Sequence, residues 1–545
     1  MAPNPTRARR AAAAALFVFG LFFLGASLAQ AHEPVVAKEF MVAAAHPLAV
    51  EAGVEVLGRG GSALDAAIAV QMVLGLVEPQ SSGIGGGAFL LHWSQKERKL
   101  RSYDGRESAP AAAQADRFLR DGKPMPFMEA VVGGRSVGVP GVLRMLELAH
   151  QRHGRLPWAA LFSHAIRLAE SGFDAPPRLS KALTEERFLR DALFFHPDGK
   201  PKSRIVNLEY AATLRSIARG GADAFYGGPI AADIVRAVRS HAKAGDLTEE
   251  DLAGYRALER EPVCGPYRGR RVCSMGPPSS GGVAVLQILG ILERTAFARA
   301  PPHSAQAAHL FTEAGRLAFA DRSRYLGDPD FVSVPTRKLL DGKYLQGRAA
   351  LIGERSVGEA LPGDTEATGT SHLSIVERNG DAVAMTTTVE SPFGSRIVVR
   401  GFILNNQLTD FDFVPGSANA VGAGRRPRSS MAPTAVFGKD GNLQLVIGSP
   451  GGAMIISYVA KALVARLDWG LDLQAAVAAP NLGTRNGPTL LEKETPYAAL
   501  EQGLAERGHR VVLLPLVSGL HGIERVPGGW RGGADPRRDG TAMGR

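Results

Sequence analysis

Thr368-Gly369-Thr370-Ser371-His372-Leu373-Ser374-Ile375-Val376 decides how the rest of the chain is read. Ahead of it, residues 361–369 are polar and turn-rich, with Pro362, Gly363, Asp364 and Gly369. After it come Leu373, Ile375 and the strand-forming run 382–389. A loop therefore meets a buried strand at one hydroxyl residue, Thr370. Such a hydroxyl can attack the carbonyl just before it, and Gly369, lacking a Cβ, tolerates the strained geometry of that attack. Cleavage there would leave Thr370 with both an Oγ nucleophile and a free α-amine. An α-amine has a reference pKa of about 7.7–8.0, so it can serve as a base near neutral pH. On these nine residues alone, an ordinary loop-to-strand junction is the simpler reading.

Further motifs follow in a fixed order. Upstream is Tyr103-Asp104-Gly105-Arg106-Glu107-Ser108-Ala109-Pro110. Downstream are Thr386-Thr387-Thr388-Val389-Glu390 and Leu404-Asn405-Asn406-Gln407-Leu408-Thr409-Asp410-Phe411. Then come Arg426-Pro427-Arg428-Ser429-Ser430-Met431 and Gly448-Ser449-Pro450-Gly451-Gly452. Together they closely resemble the γ-glutamyltransferase (γ-glutamyltranspeptidase) family of N-terminal-nucleophile hydrolases. The resemblance runs from about Met41 to Asp535-Pro536-Arg537 and is far more specific than any single motif.

The resemblance implies an α/β, four-layer αββα sandwich and two chains from one precursor. Residues 1–31 would be a signal peptide, 32–369 the large subunit and 370–545 the small, catalytic subunit. The subunits would stay together as a heterodimer because they share the sheets. Thr370 would attack the γ-amide carbonyl of a γ-glutamyl donor such as glutathione and form an ester. Water or an amino-acid or peptide acceptor would then resolve it. Thr388 matches the threonine that hydrogen-bonds the nucleophile. Gly451 and Gly452 match the oxyanion donors, each such donor typically contributing about 2.7–4 kcal/mol. Arg106, Ser429 and Ser430 match the residues that hold the donor α-carboxylate, a fork-shaped pairing that Lys cannot copy. Gln407 and Asp410 match those that hold its α-ammonium, and Glu390 stands where some members have Asn. No metal or cofactor is implied.

Two departures stand out. Many relatives carry a longer insert with an aromatic lid residue after the position of Phe411; here residues 412–421 are short. An open site would admit water and bulkier substrates more readily. Arg428 stands beside the serine pair where Leu is common.

Composition bounds the remaining classes. The chain has 545 residues, 45% hydrophobic and 21% charged, as in a folded globular protein. Net charge is +10, but the basic residues are scattered with few aromatics among them, which argues against nucleic acid as a partner. Arg7, Arg9 and Arg10, the apolar run 11–28 and Ala29-Gln30-Ala31 read as a cleaved signal segment, with an uncleaved anchor as the alternative. A periplasmic or secreted protein without a stable membrane span is expected. The only cysteines, Cys264 and Cys273, flank a turn at Arg268-Gly269. If Tyr267 pairs with Arg270, the two cysteines face each other at about 4.5 Å between Cα atoms, and either a disulfide or two buried thiols follows.

Residues 32–40 read as a mobile new N-terminus, and 41–45 as a strand. Helical patterns cover 49–57, 143–171, 180–193, 208–218, 230–243, 284–297 and 455–467. Ser62 reads as an N-cap, where the family usually has Asn. Strands are expected near 371–377, 382–389, 397–404, 433–438 and 443–447. The glycine-rich run 81–87 precedes a strand and lacks a following Lys-Ser/Thr, so close backbone packing suits it better than phosphate binding. Two other functions compete with γ-glutamyl transfer. A glutaryl-amide (cephalosporin-type) acylase would not need the ammonium-binding set Glu390, Gln407 and Asp410. An unprocessed, non-catalytic binding protein would not need Thr370, Thr388 and the glycine pair.

Overall fold

The computed structural model describes residues 35–358 and 369–545. The signal segment, its cleavage site and the loop 361–368 lie outside the described residues. The alternating runs around Thr370 pair as neighbouring antiparallel strands in the middle of a sheet.

Strands of two seven-stranded sheets are, in chain order, β1 (Val35–Ala37), β2 (Met41–Ala44), β3 (Gly87–Ser94), β4 (Lys99–Gly105), β5 (Leu258–Arg260), β6 (Val263–Tyr267), β7 (Arg270–Ser274), β8 (Gly369–Val376), β9 (Ala382–Glu390), β10 (Thr434–Phe437), β11 (Leu443–Gly448), β12 (His521–Val526), β13 (Gly529–Ala534) and β14 (Thr541–Gly544). One sheet runs β14-β2-β8-β9-β3-β4-β5, the other β1-β13-β12-β11-β10-β7-β6, each antiparallel throughout. Both sheets take strands from before and after Thr370.

Strand periodicity sorts the side chains into layers. Leu373, Ile375, Val383 and Met385 face helices α1 (Pro47–Gly58) and α2 (Ala63–Val77). Every residue of α2 is buried, which explains why its sequence is apolar all round. Ser62 caps α2 in a reciprocal box with Asp65. Val376, Ala382 and Ala384 point the other way, onto Ala435, Phe437 and Ile523 of the second sheet. That sheet's outer face, with Val272, Val436 and Ile447, packs on α3 (Gly281–Glu293), α4 (Ala305–Tyr325) and α5 (Ile455–Leu467). The result is the αββα sandwich.

The structure corrects several local expectations. Residues 35–37 are an edge strand paired with Trp530–Gly532, so this part of 32–40 is not free. The helix expected over 143–171 is broken at Gly154 and Pro157, leaving Val142–His153 and Ser163–Ser171. That expected over 180–193 is Pro177–Glu185. The strand expected over 397–404 is a two-residue hairpin, Val398–Val399 with Phe402–Ile403, turned by Arg400 and Gly401 at positive φ. The cysteine hairpin has the expected register: Cys264 faces Cys273 at 4.1 Å between Cα atoms, and the two are disulfide-bonded.

Candidate active site

Thr370 sits at the head of β8 beside a β-bulge. Gly369 pairs with Glu390 and Thr370 with Thr388, so Val389 is the extra residue of β9. Thr370 Oγ1 lies 3.2 Å from Thr388 Oγ1. Thr388 Oγ1 also donates to the Gly369 carbonyl at 2.6 Å and accepts from the Glu390 N–H at 2.8 Å. Its one proton is thus committed to the Gly369 oxygen, and Thr370 must donate in the contact between the two hydroxyls. Gly369 has no room for a side chain: a Cβ would lie 2.7–2.8 Å from backbone atoms of Ser391, Gln80 and Glu390. The glycine-rich run 81–87 presses its backbone on the same place, where a Cβ on Gly86 would lie 2.0 Å from the Thr388 carbonyl oxygen.

A small cleft opens in front of Thr370. Thr388, Arg106, Glu390, Gln407, Asp410, Ser429, Ser430 and Gly452 all line it. Gly451 does not; it lies one residue back, at φ 137°, where a Cβ would come within 2.6 Å of the Tyr458 ring. Gly452 opens a short 3₁₀ turn that runs directly into α5. A helix start, with its positive dipole, therefore borders the cleft that Thr370 lines. None of residues 411–421 lines the cleft. Asn419 instead pins that loop back onto the Asp410 carbonyl (2.7 Å) and Asp412 (3.2 Å).

The expected split into a carboxylate-binding set and an ammonium-binding set is not a split in space. Buried Arg106 donates to the Asp410 carboxylate, which also accepts from Gln407 Nε2 at 2.6 Å. Arg106 further donates to the carbonyls of Pro427 (3.0 Å) and Arg428 (3.1 Å), which fix its plane. Ser430 Oγ is reached by another cation, Arg322, at 2.9 Å. Glu390, held at φ 80°, accepts from Ser391 Oγ (2.6 Å) and from Asn406. Such a backbone is strained for a non-glycine residue, and strain of this kind gathers at functional sites. Behind Arg106, burial pushes the Glu107 carboxyl up to about 8 against the pull of the Arg106 guanidinium 3.8 Å away.

Among the described residues, one cluster has metal-ligand chemistry: His309, Glu313 and His509, all buried. It lies apart from the cleft lining, and its donors are spent on one another. His309 Nε2 faces the Gly353 carbonyl at 2.9 Å and must donate. Its Nδ1 then accepts from His509 Nε2 at 2.7 Å, and His509 Nδ1 accepts from Thr489 at 2.7 Å. Glu313 takes Arg316, Ser356 and the Val357 N–H. Neutral rings satisfy every contact, and burial holds His509 down at about 4.

Sequence reading missed Arg322, which approaches from α4, and Arg538. The second donates to the Thr370 carbonyl at 3.0 Å. Arg538 directly follows the Asp535-Pro536-Arg537 motif, the one signal that pointed near it. The arrangement joins a threonine hydroxyl, a helix start, and a paired cation and anion around one cleft.

The chain is similar to known proteins over nearly its whole length. The gamma-glutamyltranspeptidase family model matches residues 49–545. A glutathione hydrolase proenzyme of Bacillus subtilis is 38% identical, covering 93% of this chain and 92% of its own. An acylase ACY 1 proenzyme of a Pseudomonas species is 37% identical, covering 94% of each chain. The crystal structure of a cephalosporin acylase from Bacillus halodurans superposes with a TM-score of 0.85 at 30% identity, over 94% of this chain and 97% of that one. Over nearly its whole length, then, the chain belongs to the γ-glutamyltranspeptidase family.

Proposed function

We propose that the chain matures by cutting itself at Gly369–Thr370 and then cleaves the γ-glutamyl amide bond of glutathione or related γ-glutamyl compounds. The observation that carries this reading is the Arg106–Asp410 pair facing Thr370 across the cleft. A γ-glutamyl group ends in a zwitterion, and a cation beside an anion is the complement of a zwitterion. Its carboxylate would meet Arg106, with Ser429 and Ser430 alongside; its ammonium would meet Asp410, with Gln407 and Glu390. Burying those charges unpaired would be costly, so the pair supplies specificity.

In maturation, Thr370 Oγ attacks the Gly369 carbonyl carbon while the Thr388 hydroxyl supports the developing oxyanion. The C–N bond breaks as the C–O bond forms, the Oγ proton passes to the departing nitrogen, and water hydrolyses the resulting ester. Gly369 keeps the carboxylate and Thr370 the free amine. In turnover, the amine takes the Oγ proton as Oγ attacks the γ-carbonyl, and returns it to the leaving amine. The backbone at Gly452, which lines the cleft at the helix start, receives the oxyanion. Water or an acceptor amine then attacks the threonyl ester, regenerating Oγ–H. Large and small subunits remain a heterodimer through the shared sheets.

A glutaryl-amide acylase is the second reading, favoured by the uncovered cleft and by the acylase relatives. A glutaryl group would offer Arg106 a carboxylate but bring no ammonium to Asp410. The pattern of residues 1–31 and the Cys264–Cys273 disulfide support export to an oxidising compartment. No helix among the described residues is long and apolar enough to cross a membrane. Intact-mass measurement of purified protein tests maturation: fragments starting at His32 and Thr370 are expected. Parallel rates on γ-glutamyl and glutaryl anilides test specificity; faster turnover of the glutaryl compound would establish the second reading.

A further inference from the structure

We infer that Arg538 is a positioning residue that holds Thr370 and keeps its released α-amine unprotonated at neutral pH. The inference rests on the cut at Gly369–Thr370.

The geometry follows from where the ladder ends. β2 pairs with β8 only over Leu373–Val376, because β2 stops at Ala44. Thr370 thus projects past the end of its neighbour with a carbonyl that no strand satisfies. Arg538, on the turn between β13 and β14, takes that place: its Nη1 donates to Thr370 O at 3.0 Å. Its Nε donates to the Ser518 carbonyl at 2.9 Å. The side chain is wedged, since a Cβ on Gly519 would come within 2.5 Å of Arg538 Cδ. In an extended strand the N–H and C=O of one residue point to the same edge. The amine freed at Thr370 therefore emerges on the edge from which Arg538 approaches.

A buried cation there disfavours a second positive charge, so the amine stays neutral and available as a base. Burial lowers Arg538 itself to about 9, which leaves it charged at neutral pH. Other charges surround the strand head. From the end of α2 comes Glu78, held by Ser371 and by Arg178 of the helix Pro177–Glu185. Asp535 comes from the turn of Arg538, and Glu390 from β9. Arg106 and Asp410 face across the cleft and offset each other. The neighbouring rings of His372 and His521 are neutral, lowered by burial. Glu78 and Arg178 also offset each other, and Asp535 is engaged by Arg537. Arg538 is the cation hydrogen-bonded directly to Thr370.

The test is competitive trace acylation of the small-subunit N-terminus against pH, read by mass spectrometry in wild type, R538M and R538K. The readout needs no substrate. Expected is a rise of about 1 pH unit in the amine pKa for R538M, with R538K close to wild type. The acid limb of kcat/KM should move up by the same amount. An R538M amine that titrates with wild type overturns the inference, and so does an R538K shift as large as that of R538M. If R538M fails to split or does not accumulate, R538Q in the full chain is the neutral substitute. A wild-type protein that stays one chain would instead refute the maturation reading.

Discussion

Toward the turn at residues 377–381, the facing sides of β8 and β9 carry Val376, Ala382 and Ala384, packed with Trp93, Phe437 and Ile523. Toward the other end, the same sides of the same strands carry Thr370, His372, Ser374, Thr386 and Thr388. The dry end joins the two sheets by burying apolar area, a non-directional attraction that tolerates small shifts. The polar end is buried just as deeply, and each group there needs a partner at a fixed angle. His372, for instance, lies between the hydroxyls of Thr386 (2.8 Å) and Ser374 (3.1 Å). One strand pair thus fastens the sandwich at one end and holds the candidate nucleophile, Thr370, at the other. The dry end sets how firmly the protein holds together, and the polar end sets what it does.

Substitutions at the two ends should separate these roles. Thr370→Ala should have the largest effect: a single folded chain, no fragments by mass spectrometry, and no detectable anilide hydrolysis. A Thr370→Ala protein that still splits at this bond would remove the nucleophile from the polar end altogether. Asp410→Ala should still split. It should lose about 10²–10³-fold in kcat/KM on γ-glutamyl anilides, because a buried charge loses its partner. Glutaryl anilides should lose little, since Arg106 would then be free for their carboxylate. Equal losses on both would make Asp410 a support for the fold rather than for the ammonium.

At the dry end, Trp93→Ala should cost about 3–5 kcal/mol of stability by denaturant titration. Trp93 is buried and its ring centroid lies 4.7 Å from that of Phe437. The folded fraction should keep its cut and its substrate preference; a changed preference would mean that the two ends are coupled. Per pH unit, the smallest effect concerns Glu107. Its folded pKa is raised to about 8 from 4.5, so between those values the native state holds a proton that the unfolded chain has lost. Stability from this group therefore falls as pH rises through that window, by about 1 kcal/mol per pH unit. Glu107→Gln should flatten the dependence. Chemical denaturation at pH 5, 6.5 and 8 checks it, and an unchanged slope would exclude Glu107 as its source.

The two ends also differ in how far they could be read from sequence. Alternation around Leu373, Ile375, Val383 and Met385 marks strands and a buried face, because strand side chains repeat every two residues. Thr370, its partner Thr388 and the glycine pair lie in short local motifs, so these candidates could be named from sequence, and the contact between the two hydroxyls is there in the structure. What stayed hidden was convergence. Arg106 and Asp410 are 304 residues apart and touch only after both sheets have formed. Arg538 reaches Thr370 because β2 ends early, a fact of register rather than of composition. The edge pairing of residues 35–37 depends on an unfilled strand position beside β13, which the segment itself does not announce.

The interleaving of the strands has a consequence for molecularity. β8 lies between β2, from before the candidate cut, and β9, from after it. The uncut chain refolds as one molecule, at a rate indifferent to concentration. Once cut, the same sandwich must reassemble from two pieces, neither of which contains a complete sheet. Its recovery after denaturation would depend on how often the pieces meet, and its persistence on the rate of unfolding rather than on an equilibrium with the unfolded state. Folding before the cut is thus a one-time opportunity, and the mature protein keeps its shape kinetically.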